Sequence, residues 1–429
     1  MLVELDKTQP FTKLVMLLLA LYPIMGYYAG PAGLTYANIV TIILFVISYI
    51  ENSKKSFLVY PKYYFGFWIY AALALVFTVS SFKITFLIPG GISFFLWSLA
   101  FGLTLRYFNF EALKKYLYVV FLIASAILIV QEVMTFITGS RFIAFLRLSE
   151  ELTIGINYSE LKQVLIAAKR SSSLFAEPSN FALYSLPVLA IELFYGKGEK
   201  KLLTPFSFYI IAVLLILRSG VGFIGIFLLL LIKTLTFLKG STFKRILLLI
   251  IIFPFVAFAV KEYITSEFGE KMLGRINEFD TDNTSGYLRV VRGYLVYDYL
   301  PWMNKIFGIW PDDLLKMHIP FLDMTKEKSS ILYFNGVQTA LIRVGILGTL
   351  LLLNVYINIY KNNILLAKVL ILTFLLLALL DQMYMSSTML ILTTIAAHFQ
   401  LIDKNQIQTV DPKEEFNTLN KSVINHKTY

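Results

Sequence analysis

The sequence contains no cysteine, three histidines, and charged residues at only 15% of its 429 positions. Each shortage excludes a class. Without cysteine there is no disulfide scaffold and no thiolate metal site. His318, His398 and His426 fall in three separate regions, so a three-histidine metal site is not expected. A soluble domain carries about 25% charged residues, and a disordered chain carries few apolar ones. No P-loop, Rossmann glycine pattern, HExxH or GxSxG occurs, which argues against ATP-driven and zinc chemistry.

What is abundant is apolar sequence: 58% hydrophobic residues and 16% aromatic ones. The formal net charge of +11 could suit nucleic acid, but so little surface-type sequence cannot build such a surface. The excess is read instead against a bilayer, and no nucleic-acid partner is expected. The composition predicts an all-α, polytopic integral membrane protein.

A spanning helix needs about 20 mostly apolar residues. By that measure about twelve transmembrane helices are expected. They run near 11–29, 32–50, 63–81, 84–105, 117–138, 177–195, 203–219, 220–238, 245–262, 335–359, 364–381 and 384–402. The seventh and eighth are nearly continuous, so eleven is the alternative count. The first is too long for a cleaved signal peptide and is followed at once by further spans. With the N-terminus inside, the short inner loops carry Lys54, Lys55, Lys62, Arg106, Lys114, Lys115, Lys197, Lys200, Lys201, Lys239, Lys244, Arg245 and Lys361. The short outer ones show Lys83 and Arg218. This bias predicts both termini on the cytoplasmic side. Residues 1–402 form one transmembrane domain, and 403–429 read as a flexible cytoplasmic tail. Two long connections, about 139–176 and 261–334, fall outside the membrane, and long loops in a compact domain usually carry function. Residues 147–168 suit a helix lying along the interface.

Several constellations stand out. Arg170 through Asn180 closes the first outer loop and opens a span, with Pro178 suited to a first turn and Glu177 to the positive dipole end. It reads either as a capped helix start with a snorkelling arginine or as an anion site where Arg170 meets a phosphate. Arg218-Ser219-Gly220 forms a tight outer turn, its arginine either a headgroup anchor or a substrate contact. Arg289 and Arg292 share one face if helical, whether as a solvated pair or as a binding pair. Asp280-Thr281-Asp282 reads as a solvated turn, and His318 is a possible general base. Arg343, Asp381 and Glu132 interrupt apolar spans. A charge there costs about 2.5–3.5 kcal/mol, so it should face a partner or a wet cavity. Arg343 either pairs with Asp381 or meets a lipid diphosphate.

Four segments carry a resemblance. They are Arg170–Asn180 (RSSSLFAEPSN); Arg218-Ser219-Gly220 with Phe223-Ile224-Gly225; Ser285–Arg289 with Pro301 and Phe307-Gly308; and Phe334-Asn335 through Gly348. With the two outer loops, they resemble the O-antigen and capsular or exopolysaccharide repeat-unit polymerases, relatives of the O-antigen ligases. Ser and Arg are exchanged in the second motif, and Ile309-Trp310 replaces a glycine in the third. Phe334 stands where the ligases have a histidine, which favours polymerase over ligase.

The resemblance implies glycosyl transfer at the outer face of a bacterial plasma membrane, without cofactor or metal. The substrate would be a polyprenyl-diphosphate-linked oligosaccharide within membrane lipid, with a flippase and a chain-length regulator as partners. Arg170 and Arg289 are the first candidates for catalysis, with Glu177 or His318 activating the acceptor hydroxyl. Arg218, Arg292 and Arg343 would hold the diphosphate. The rival from another class is a lipid-linked oligosaccharide flippase or transporter, which predicts midplane charges and broken helices. Neither is evident in the sequence.

Overall fold

The computed structural model describes residues 10–31, 34–51, 58–77, 84–139, 171–237, 291–309, 334–361 and 363–409, with isolated positions between them. Among the described residues the chain is all-helical, and its one extended pairing is an isolated bridge between Ala29 and Thr35.

The helices are α1 (Pro10–Met25), α2 (Tyr36–Glu51), α3 (Lys62–Phe77), α4 (Ile84–Arg106), α5 (Phe110–Thr138) and α6 (Pro178–Phe194). After a 3₁₀ turn at Gly196–Lys200 follow α7 (Pro205–Ile216), α8 (Gly220–Phe237), α9 (Gly293–Tyr299) and α10 (Trp302–Phe307). The chain continues with α11 (Gly336–Lys361), α12 (Leu365–Leu377) and α13 (Ser387–Thr409). Helices α5, α8 and α11 are long and apolar enough to cross a membrane, and six shorter apolar helices accompany them. The segment expected at 245–262 lies outside the described residues.

Local chemistry sets the helix ends. Asn109 caps α5, its side chain accepting from Ala112 N at 3.1 Å, and Gly139 closes that helix in the left-handed region at φ 66°. Thr204 and Ser207 form a reciprocal capping box on α7, with Pro205 in the first turn.

Helix α6 lies at the centre. Fourteen of its seventeen residues are buried, so it is apolar all round, as a helix must be when neighbours surround it. Helices α5, α7, α8 and α12 pack on it. Gly222 and Gly225 bring α8 against Ala182 and Leu186. A side chain at Gly225 would meet the Leu186 methyls at 2.4 Å. Helix α13 packs on α1, α4 and α12, and α3 packs on α11.

The two ends of the bundle differ. One, here called the basic end, gathers Arg106, Lys114 and Lys361 with an aromatic layer. There Phe108 meets His398 at 4.2 Å, and Phe110 meets Tyr195 at 4.7 Å and Phe399 at 5.0 Å. Lys233 of α8 is buried at this end and donates to the carbonyls of Leu193 and Gly198, each at 2.8 Å, and of Glu199 at 3.2 Å. An ammonium thus caps the C-terminus of α6, where the helix dipole favours a cation.

Candidate functional site

The far end of the bundle is built differently, from irregular backbone. All three non-glycine residues with positive φ, Ser173, Arg218 and Met385, lie here among the described residues. Such conformations cost free energy and cluster at functional sites.

Ser171, Ser172 and Ser173 are buried, as are Phe175 and Ala176. Ser173 sits at φ 57°; its amide donates to Gln131 Oε1 at 2.9 Å and its hydroxyl to the carbonyl of Ala124 at 2.5 Å. Ala124 is near the middle of α5, so the serine segment dips into the bundle before rising to Glu177. Phe175 stacks on Phe181 at 4.9 Å and holds the dip closed. Irregular backbone at this depth survives only when protein satisfies it.

Glu177 is the N-cap of α6, half-buried, with Pro178 after it as expected. Its carboxylate accepts from Ser179 Oγ at 3.1 Å, and its carbonyl accepts from the amides of Asn180 and Phe181. The start of α6 therefore presents a carboxylate rather than an open amide cradle. Arg170, the other half of the expected phosphate site, lies outside the described residues.

A second carboxylate lies at the same end of the bundle. The turn between α1 and α2 is fixed by Gly30 N donating to Leu34 O and Tyr36 N to Tyr28 O, with Tyr28 fully buried. This holds Tyr27, whose hydroxyl feels the charges of both Glu177 and Asp381. Asp381 is buried in the turn between α12 and α13. Its Oδ1 accepts from Gln382 N, and its carbonyl accepts from the first amide of α11, Gly336 N, both at 2.8 Å. Val337 N donates to Ala378 O, and Asn335 and Gln338 cap each other reciprocally. The start of α11 is thus tied to the α12–α13 turn.

Helix α11 is broken at Gly345, where φ is 64° and ψ is −176°. The break is filled from the long loop. Ile309 N donates to Ile342 O at 2.7 Å. Tyr70 of α3 places its hydroxyl 3.1 Å from Ile306 O and 3.0 Å from Val344 O. Gly308, at φ 90°, lies on the backbone of Arg343, and Gly345 lies on that of Ile306. A Cβ would fall 2.3 Å from Arg343 O in the first case and 2.1 Å from Ile306 O in the second. Only glycine fits at either position.

Arg343 stands at this break. Its charge and the Tyr384 hydroxyl of the α12–α13 turn lie within range of each other, and among the described residues it makes no ion pair. The expected alternative of Arg343–Asp381 pairing is therefore absent. Arg343 has accessible surface, and so do Ile346, Leu347, Leu350, Leu353 and Ile357. Beyond the break, Ile346, Leu347, Leu350, Leu353 and Ile357 are spaced to share one face of α11, and Arg343 lies just before it.

The remaining sequence candidates divide. Arg170, Arg289 and His318 lie outside the described residues, as do Asp280-Thr281-Asp282 and 147–168 apart from isolated positions. Arg218 is exposed at the α7–α8 turn with φ 54°. Arg292 is 3% exposed at the start of α9, which packs on α11, so it is not a solvated charge. Sequence reasoning missed Tyr27, Tyr70 and the Gly308–Gly345 contact. The one available signal was Gly345 beside Arg343, which reads equally well as a helix-packing glycine. No protein-family model matches the chain, and no curated protein matches it.

Proposed function

We propose that the protein is an oligosaccharide repeat-unit polymerase, a multi-pass membrane glycosyltransferase of about twelve spans. It would sit in a bacterial plasma membrane with both termini cytoplasmic, extending surface polysaccharide on the outer face. One observation carries this reading: an exposed arginine, Arg343, stands at a break from which an exposed apolar face runs along a helix of membrane-spanning length. An amphiphile with an anionic head and a long apolar tail matches both parts, and a polyprenyl-diphosphate-linked oligosaccharide is such a molecule.

In this reaction the acceptor sugar's O–H attacks the anomeric carbon of the donor. The new C–O bond forms as the bond to diphosphate breaks, and polyprenyl diphosphate leaves with the bonding pair. The acceptor proton passes to Glu177, with Asp381 and Tyr27 fixing the charge around it. Arg343 faces the negative charge that grows on the leaving group, so it stabilises the transition state more than the ground state. Arg170, Arg289, Arg218 and Arg292 are the further proposed cations, and His318 the alternative base. Phe334 supports polymerase over ligase: 1% exposed, it packs in a small core with Val296 and Ile342 and offers no proton-transfer group.

The break at Gly345 favours a second reading, the flippase, because broken helices recur at transport sites. Deletion of the gene separates the two. A lost polymerase leaves single repeats on the outer carrier, whereas a lost flippase leaves repeats inside. Long polymer left unattached would point to the ligase instead.

A further inference from the structure

The long loop was expected to lie wholly outside the membrane, yet part of it contacts α11 well below that helix's end. Helix α11 carries Lys361 at the basic end. Counting about 20 residues of hydrocarbon from that lysine puts the far boundary near position 341. Gly345 lies deeper than this boundary, and Ile306 and Gly308 touch it. Tyr70, midway along α3, reaches Ile306 O as well and marks the depth independently.

Above this contact α9 and α10 form a bent pair around Leu300-Pro301. Their buried side joins Val296, Leu300 and Ile309 to Phe334 and Ile342 of the α11 region. Their other side exposes Tyr294, Leu295, Tyr299 and Met303, with Trp302 69% exposed. Aromatic side chains of this kind favour the membrane–water boundary. Asp298, 88% exposed, interrupts this side of α9 and so marks its aqueous edge, where Lys305 of α10 pairs with it at 3.1 Å.

We infer that Gly293–Ile309 is a re-entrant clamp, its aromatic face seated in the lipid boundary and its backbone sealing the break in α11 beside Arg343. The occupant of the exposed face is bilayer lipid, because the segment reaches Gly345 inside a helix of membrane-spanning length and exposes mostly aromatic and apolar side chains. This holds whichever reaction the protein performs, and it leaves Arg343 open sideways to lipid-borne molecules.

The chain contains no cysteine, so single thiols can be placed directly. Trp302→Cys, Met303→Cys and Asp298→Cys would be treated with a water-soluble maleimide, in native membranes and after purification into lipid nanodiscs. In both settings the thiols at 302 and 303 should react at least about tenfold more slowly than that at 298, since an apolar medium suppresses the thiolate. A bimane label at 302 should be quenched by doxyl-lipid, and one at 298 should not. Equal reactivity at all three positions would overturn the inference. So would slow reaction at 302 and 303 in native membranes but fast reaction in nanodiscs, which would assign the face to a protein partner.

Discussion

At the scale of single residues, the site depends on a few atoms in places that tolerate no substitute. Tyr70 is the plainest case. Its hydroxyl ties the loop to α11 across the break, so Tyr70→Phe should cost about 1–2 kcal/mol of stability. Activity should fall further than that loss explains, because the position of Arg343 depends on the tie. Thermal unfolding in detergent and polymer yield, measured on the same variant, separate the two effects. Gly345→Ala has no room and the wrong backbone, so it should disrupt α11 by about 2–4 kcal/mol. Glu177→Gln preserves shape and removes the proposed proton acceptor. It should abolish polymer while the protein still inserts at wild-type level, as read by immunoblot of membranes.

Elements show where sequence reading succeeds and where it stops. Pro178 after Glu177 and the apolar runs of α5, α8 and α11 were legible, because caps and hydropathy are local. The dip of Ser171–Ser173 was not, since three serines read as an ordinary loop and only the bonds of Ser173 to Gln131 and Ala124 show it enters the bundle. Tyr27 feels the charges of Glu177 and Asp381 from three turns far apart in the chain, which no spacing rule reports. Helices α9 and α10 are too short to register as membrane segments by length. Lys233 falls inside the span expected at 220–238, and it caps the C-terminus of α6. Replacing it by methionine leaves three carbonyls without their ammonium and should lower stability by about 2–3 kcal/mol, checked by thermal unfolding.

For the whole molecule, the division between a basic end and an irregular end is the main feature. Positive residues resist translocation, so the basic end should face the cytoplasm. Alkaline phosphatase, active only outside, should be inactive when fused after Lys200 and active when fused after Arg218. The irregular end would then face outward, and it carries Arg343, Tyr384, Asp381, Tyr27 and Glu177. A cation and two carboxylates at one end of the bundle suit the proposed reaction, which expels an anion and takes up a proton. The most direct test is reconstitution of the purified protein with lipid-linked repeat units in vesicles. Wild-type protein should yield a ladder of polymer lengths, and Arg343→Ala should slow its growth by about 10²–10³. No ladder from the wild type, or an unchanged ladder from the variant, would contradict the account.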